Sequence, residues 1–189
     1  MKYINKNFYI EGVKASKLAN KFRTPLYCYS YKKLKENIYN FKNNFRSLNP
    51  IICFAVKANS NLTLLKEIGK FGLGADVVSM GELTQVLKAG IKPKKIVFSG
   101  VGKTSEELSF AIDKKILLIN TESKNEVLEL ERLAKNKKRI VNLGIRLNPN
   151  TDAKTLSKIS TGKKEDKFGV SEKVFLELVK YAEKSKYIN

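Results

Sequence analysis

The chain has 189 residues, of which 37 are Lys or Arg and 18 are Asp or Glu, so it carries a formal net charge of +19. With 42% hydrophobic residues it has enough apolar surface to bury a core, which excludes a wholly disordered chain; its length predicts one domain or part of a larger one. No apolar run approaches the ~18 residues that a membrane helix needs, and the first residues lack the apolar stretch of a secretory signal. We therefore expect a cytoplasmic protein with no membrane partner.

The positive charge is carried mostly by lysine, with 32 lysines against 5 arginines. Recognition of phosphates and bases favours arginine, because its planar guanidinium donates two parallel hydrogen bonds. The lysines are also spread along the whole chain instead of gathered in one stripe. We therefore expect a solvated lysine-rich surface and no nucleic-acid partner, and a basic nucleic-acid-binding protein is the alternative that the charge leaves open.

Metal and His-based chemistry have little support in the composition. The chain contains no His, which excludes a His-based catalytic triad or a His metal site. Cys28 and Cys53 lie in apolar runs without the spacing of a zinc site or of a disulfide framework. We therefore expect no metal.

Short β-branched segments alternate with segments of helical apolar spacing along the chain. Strands are predicted at residues 25–30, 51–58, 74–79, 95–100, 116–120 and 140–148. Between them apolar residues recur every three or four positions, as over residues 34–45, and a last helix is predicted around residues 174–181. Ser79, Thr104 and Ser123 are each followed three residues later by Glu, which predicts capping boxes at three helix starts.

A regular alternation of apolar strands and helices is typical of a parallel sheet covered by helices. The units repeat about every 20–25 residues, and no glycine-rich dinucleotide motif follows the first strand, which favours a (β/α)₈ barrel over a dinucleotide-binding sheet. Five or six strands cannot close a barrel of eight. The predicted fold class is therefore α/β, an incomplete (β/α)₈ TIM barrel that lacks its last units.

One long segment, Pro149 to Gly169, has no clear period and is longer than most connections from a strand to a helix. Because it follows a predicted strand, we expect it to emerge at the carboxyl end of the sheet, where barrel proteins build their sites. We interpret it as a functional loop; a disordered linker is the alternative.

Lys57 is the lysine that the pattern singles out. Side chains alternate between the faces of a strand, so Lys57 shares a face with the small Cys53 and Ala55, while the bulkier neighbours face the helices. An amine at the end of such a strand, partly desolvated, is a usable nucleophile for a carbonyl group. The alternative is an ordinary lysine that reaches solvent from a strand end.

Asp76 and Arg146 are charged residues within or at the end of apolar strands, where an unpaired charge is costly. A cation such as Lys57, or a ligand, would compensate the charge of Asp76. Arg146 likewise needs an anionic partner or a ligand. Glu82 is expected first to complete a capping box, and residues 59–61 are expected first to form a turn and a helix cap.

Four motifs carry a resemblance to a known family: FAVKANSN (54–61), GADVVSMGEL (74–83), IRLNPNTDAKT (145–155) and ISTGKKEDKFG (159–169). Together with FYIEG and TPLYCYS near the start, they resemble the diaminopimelate decarboxylases, which are pyridoxal-phosphate enzymes of the alanine-racemase-like barrel class. The resemblance covers essentially the whole chain in register. It implies a partial cofactor-binding barrel over residues 31–189 and, over residues 1–30, a segment on the side of the family's C-terminal β-domain.

The resemblance implies that Lys57 holds pyridoxal 5'-phosphate covalently and that Asp76 and Arg146 lie near this cofactor. It also implies decarboxylation of meso-2,6-diaminopimelate to L-lysine, the last step of lysine biosynthesis, by a homodimer when the protein is full length. The family's ring-stacking His, glycine-rich phosphate site, acidic partner of the ring nitrogen and C-terminal β-domain would all follow residue 189. We therefore expect an N-terminal portion that is inactive alone.

Two other functions stay open at this point. A related decarboxylase could act on ornithine, arginine or carboxynorspermidine, because the residues that recognise the far end of the substrate lie mostly beyond residue 189. The other alternative is a non-catalytic pyridoxal-phosphate-binding barrel protein, against which the extended N-terminal segment and the long segment after Pro149 both argue.

Overall fold

The computed structural model describes residues 1–151 and 168–189, and the chain divides into two compact units, Met1–Pro50 and Ile51–Asn189. The boundary predicted after residue 30 stays a prediction, as does the role of the segment from Pro149 to Gly169, most of which lies outside the described residues. No helix in the described part of the chain is both long enough and apolar enough to span a bilayer.

The first unit contains a small antiparallel sheet and two helices. Its elements are β1 (Lys2–Ile4), β2 (Asn7–Ile10), β3 (Val13–Lys14), α1 (Ala15–Phe22) and α2 (Tyr31–Asn44). The strands pair in the order β1-β2-β3. Glu11 joins the turn before β3 to the start of α2, because its Oε1 accepts hydrogen bonds from the Ser30 hydroxyl (2.6 Å) and the Lys32 amide (2.7 Å). These two bonds hold the pKa of the Glu11 carboxyl below its usual range.

The strand predicted at residues 25–30 is wrong. These residues form no regular element, and Ser30 is instead the N-cap of α2, whose Oγ accepts the Lys33 amide. The alternating tyrosines on which the strand prediction rested are not buried, since Tyr27 is 85% and Tyr29 61% exposed. Pro25 has no amide hydrogen to donate to a strand ladder.

The second unit is a parallel sheet with its helices in alternation. Its strands are β4 (Cys53–Ala55), β5 (Gly74–Val77), β6 (Ile96–Phe98), β7 (Leu118–Thr121) and β8 (Leu143–Ile145), and its helices are α3 (Leu62–Lys70), α4 (Met80–Lys88), α5 (Ser105–Lys114), α6 (Lys124–Asn136) and α7 (Glu172–Ala182). All four strand pairs are parallel and follow chain order. The predicted α/β class is confirmed: this is part of a barrel, and the described strands do not close on themselves.

The core lies between the sheet and the helices. Fully buried side chains from strands and helices meet there, among them Val77, Leu83, Phe98, Leu108 and Leu130. The helical segments predicted from apolar spacing are confirmed as helices. In the second unit the recurring apolar residues of α3, α4 and α6 are buried, as Leu65, Val86 and Leu130 show. In the first unit, by contrast, Phe41 of α2 and Phe45 directly after it are exposed.

The three predicted helix caps form, but only one is a complete capping box. Thr104 and Glu107 exchange side-chain bonds with each other's amides. At Ser79 and Ser123 the hydroxyl accepts the amide of the Glu three residues on, yet that Glu accepts the amide of the residue before the cap. Glu82 and Glu126 therefore tie their helices back to the ends of the preceding strands.

The sheet ends at β4 on one side and at β8 on the other. Beside β8, Val141 and Ile188 form an isolated parallel bridge, in which the Val141 amide donates to the Tyr187 carbonyl and the Asn189 amide donates to the Val141 carbonyl. The last described residues thus begin a further parallel pairing next to β8.

Candidate functional site

A cavity of about 640 Å³ lies at the carboxyl ends of the parallel strands. Its volume is in the range of small-molecule sites, and parallel α/β proteins bind ligands at this edge. It is lined by Lys57, Asp76, Val78, Ser99, Gly100, Val101, Asn120, Glu122, Arg146 and Phe168. The structure therefore brings all three predicted site residues, Lys57, Asp76 and Arg146, to one cavity, while their roles stay predictions.

Lys57 reaches this cavity from a short 3₁₀ turn, Val56–Ala58, and not from the strand itself, which ends at Ala55. Val56 is fully buried under the helices, so the turn is held by the core while Lys57 is exposed. The partly desolvated setting predicted for Lys57 is therefore wrong for this structure. Its primary amine is nevertheless the kind of group that condenses with an aldehyde.

Asn59 and Asn61 shape the chain directly after Lys57. Asn59 Oδ1 accepts the Asn61 amide, and Asn61 Oδ1 accepts the amides of Thr63 and Leu64, which makes Asn61 the N-cap of α3. The prediction that residues 59–61 form a turn and a cap is confirmed.

Asp76 is paired with a hydroxyl and not with the cation that we expected. Its Oδ1 accepts a 2.6 Å hydrogen bond from Ser99 Oγ, which in turn accepts one of 3.1 Å from Asn120 Nδ2. None of the ion pairs in the described residues includes Asp76. On the neighbouring strand, burial raises the pKa of the Cys53 thiol, and the charge of Asp76 raises it further.

Arg146 lies just after β8 and contacts two cavity residues. Its Nη1 is 3.1 Å from Glu122 Oε1, and its guanidinium lies 4.8 Å from the centre of the Phe168 ring. Glu122 Oε2 also accepts the Gly169 amide at 3.2 Å. The end of β7, the end of β8 and Gly169, three residues before α7, thus meet at one carboxylate.

A buried ion pair connects the segments that form this wall. Lys103 Nζ is 2.6 Å from Glu126 Oε1, with the Lys103 side chain only 1% exposed. The same ammonium donates to the carbonyls of Gly100 and Asn120, and it lies over the Phe98 ring. All three of its protons are therefore used within the protein.

Four residues at or behind this wall were not predicted from the sequence: Ser99, Asn120, Glu122 and Lys103. Ser99, Asn120 and Glu122 are polar residues at the ends of predicted strands, and that signal could have found them. Among the described residues, no group of three or more Cys, Asp or Glu side chains is placed to hold a metal ion.

A helix-covered parallel sheet with an amine-bearing cavity at the carboxyl ends of its strands defines the class of TIM-barrel-type domains that bind small molecules there. Residues 31–189 match the family model described as pyridoxal-dependent decarboxylase, pyridoxal binding domain. The chain therefore belongs to the pyridoxal-dependent decarboxylase family.

Several curated relatives of the chain are diaminopimelate decarboxylases. The chain is 47% identical over 167 residues to that of Helicobacter pylori strain J99, which covers 88% of this chain and 41% of the relative. The solved H. pylori enzyme complexed with L-lysine has a TM-score of 0.88 at 45% identity, over 92% of this chain and 44% of that one. The M. jannaschii enzyme, also with L-lysine, has a TM-score of 0.89 at 37% identity, over 98% and 44%. The chain spans about two-fifths of the length of the curated relatives it matches.

The cofactor of this family is pyridoxal phosphate, and the cavity residues fit it. Lys57 offers an exposed primary amine for the aldehyde, and the cavity volume is sufficient for a small aromatic molecule. Asp76 and Arg146 add one carboxylate and one guanidinium to the same wall, so the cavity offers polar groups of both charges to a polar ligand.

Proposed function

We propose that this chain is the cofactor-binding part of a diaminopimelate decarboxylase, a pyridoxal-phosphate-dependent lyase that converts meso-2,6-diaminopimelate to L-lysine. The observation that carries the proposal is the position of Lys57 on the wall of the strand-end cavity, in a chain of the pyridoxal-dependent decarboxylase family. The L-lysine found in two related enzymes, which is the product of this reaction, supports the substrate assignment.

In this proposal each of the three residues has one task. Bound pyridoxal phosphate supplies an electron sink for cleavage of the bond to the carboxylate. Lys57 anchors the cofactor through its amine, and its exposure leaves that amine accessible to exchange with the amine of the substrate. Asp76 presents a carboxylate whose orientation is set by Ser99, and Arg146 presents a positive charge to an anionic group in the cavity.

The proposal also covers the oligomeric state, the location and the partners of the protein. We propose a homodimer for the full-length protein, a cytoplasmic location and no nucleic-acid partner. Resemblance to the diaminopimelate decarboxylases supports the first, and the dispersed lysines support the last.

Borohydride trapping tests the role of Lys57. The full-length protein, called the intact protein below, is incubated with pyridoxal phosphate and reduced with borohydride. It should then carry the cofactor on the peptide that contains Lys57. A Lys57→Arg variant should lose the label and its turnover. Lys95→Arg should keep both, because Lys95 Nζ bonds to the Gly72 carbonyl and does not line the cavity. Label on another lysine would contradict the assignment.

Substrate competition tests the reaction. Carbon dioxide release from meso-2,6-diaminopimelate should exceed release from ornithine, arginine and carboxynorspermidine at equal concentrations. Faster release from one of the other three would replace the proposed substrate, and no release from any of them would favour a non-catalytic cofactor-binding protein.

A further inference from the structure

We propose that Glu122 is a positioning residue that fixes the guanidinium of Arg146 in the cavity, an inference that rests on the proposed function. Glu122 follows β7 directly, and its side chain is only 3% exposed. A carboxylate so deeply buried is costly unless it is paired and hydrogen-bonded. Its partners therefore indicate what it does.

Those partners are Arg146 and Gly169. Arg146 Nη1 lies 3.1 Å from Glu122 Oε1 and 3.4 Å from Oε2, and the Gly169 amide donates to Oε2 at 3.2 Å. Arg146 is 24 and Gly169 is 47 residues away in sequence, so the carboxylate joins the end of β8 to the residues just before α7. It serves no helix cap, because the cap of α6 is the neighbouring Ser123.

The backbone of Glu122 is itself fixed by a buried ion pair behind the cavity wall. Its amide donates to Glu126 Oε2 at 3.0 Å, and Glu126 is paired with the buried Lys103. Lys103 also donates to the carbonyl of Asn120, two residues before Glu122. The carboxylate is therefore presented from a rigid support, which is what accurate positioning of a partner requires.

Arg146 needs such a support because its side chain is long and 39% exposed at the cavity. The Phe168 ring restrains the guanidinium from one side, at 4.8 Å from its centroid, and Glu122 holds Nη1. Together the two contacts select one orientation of a group that would otherwise sample several. A pre-oriented cation binds an anionic ligand group with less loss of entropy.

Chemical modification of arginine tests the contact without using activity. The intact protein and its Glu122→Gln variant are treated with phenylglyoxal, and adducts are mapped by peptide mass spectrometry. Glutamine keeps the size of the side chain but loses its charge, so Arg146 should react about fivefold faster in the variant. Arg139, which is exposed and outside the cavity, is the internal reference and should not change.

Asp113→Asn is the matched control variant. It also turns an ion-paired carboxylate into an amide, since Asp113 pairs with Lys137 at 2.8 Å, but it does not line the cavity. If Glu122→Gln does not fold, Glu122→Asp keeps the charge but shortens its reach, and should raise the Arg146 reaction rate by a smaller factor. An unchanged Arg146 rate in a folded Glu122 variant would overturn the inference.

Kinetics then show whether Glu122 acts through Arg146. In the intact protein Glu122→Gln should lower kcat/KM about tenfold, and in an Arg146→Met background it should lower it less than about twofold further. Equal losses in both backgrounds would show a role independent of Arg146 and overturn the inference. If the unsubstituted protein releases no carbon dioxide, the proposed function fails, and the modification result still decides whether Glu122 fixes Arg146.

Discussion

The Ser99 hydroxyl donates a 2.6 Å hydrogen bond to Oδ1 of Asp76 across the boundary between two neighbouring strands. Asn120, from the next strand, donates to the same hydroxyl at 3.1 Å. An amide, a hydroxyl and a carboxylate thus follow one another across three consecutive strands at the edge of the cavity. This row sets the orientation of Asp76 without any cation.

Replacing Ser99 should therefore disturb Asp76 modestly. Ser99→Ala removes one hydrogen bond to the Asp76 carboxylate, and water in the cavity is able to take the place of the lost hydroxyl. We therefore expect the unfolding free energy to fall by about 1 kcal/mol. For a domain of this size that corresponds to a fall in Tm of about 2–4 °C, measured by thermal unfolding of the intact protein. Ser99→Thr keeps the hydroxyl and should stay closer to the unsubstituted Tm. Equal losses in both variants would argue against the hydrogen bond as the cause.

Glu82 tests whether a capping residue beside the cavity is only structural. Its Oε2 accepts the Val78 amide at 2.9 Å, and an amide oxygen is able to accept the same bond. Glu82→Gln should therefore cost only about 0.5 kcal/mol or less of unfolding free energy and leave turnover within about twofold. Thermal unfolding and initial rates measure the two effects.

Glu107→Gln is the comparison for Glu82. Glu107 accepts the amides of Met80 and Thr104 with different oxygens, each at 3.0 Å, so one of the two bonds is lost to the new amide group. Its destabilisation should exceed that of Glu82→Gln. A hundredfold loss of turnover in Glu82→Gln at unchanged Tm would show instead that Glu82 acts in the reaction.

Two strand glycines should respond differently to alanine. At Gly144 a Cβ would lie 2.1 Å from Asn120 Oδ1, a side-chain atom that is able to rotate away. At Gly74 it would lie 2.1 Å from the backbone carbonyl of Lys95, directly before β6, which cannot move without shifting that strand. We expect Gly144→Ala to cost about 1 kcal/mol, and Gly74→Ala about 3 kcal/mol or more. Denaturant titration of both variants checks the order.

A second experiment tests whether the contact with Asn120 causes the destabilisation expected in Gly144→Ala. Gly144→Ala should displace the Asn120 amide and break its bond to Ser99, which a crystal structure of the variant would show. In an Asn120→Ala background the clash is absent, so Gly144→Ala should become nearly neutral. A full loss of stability in that background would locate the strain elsewhere.

Residues 1–189 alone should not form a well-packed monomer. Beyond β8 lies an open groove of about 520 Å³, lined in part by Leu143, Ile145, Phe175 and Val179. Among the described residues, β4 has a partner strand on one side only, and the outer side of β8 is paired only with the last residues, 187–189. We expect this polypeptide to bind a dye for exposed apolar surface and to unfold over a broad range of urea. A full-length diaminopimelate decarboxylase serves as the control. A sharp transition, a monomeric mass and no dye binding would contradict the prediction.

The sequence predicted the parts of the site that follow from strand pattern. Lys57, Asp76 and Arg146 each stand out against an apolar segment, and parallel strands bring their carboxyl ends to one edge, so the three meet at one cavity. The strand-end position of Ser99 could have placed it at the cavity, but its hydrogen bond to Asp76 was not predictable, because the two residues are 23 positions apart and several polar groups end neighbouring strands. Lys103 is one of 32 lysines, and only its distant partners reveal that it is buried.

The N-terminal elements show a second limit of prediction from hydrophobic alternation. The strands β1 to β3 have two to four residues each, too few for alternation to be recognised. The tyrosines at 27 and 29 do alternate, but the segment that carries them has no strand to pair with and precedes a capped helix. Periodicity reports a core only where another element covers the apolar face.

The parallel bridge between Leu147 and Val170 has a consequence for engineering and for evolution. The Val170 amide donates to the Arg146 carbonyl and the Asn148 amide donates to the Val170 carbonyl, each at 2.8 Å, so the chain leaves the sheet and returns to it at one fixed point. We expect a polypeptide inserted between these anchors to leave the bridge in place, because each doubling of its length costs only about 0.6 kcal/mol in closure entropy. Arg146 and Phe168 adjoin the bridge and line the cavity, so sequence added there would be tethered next to the site.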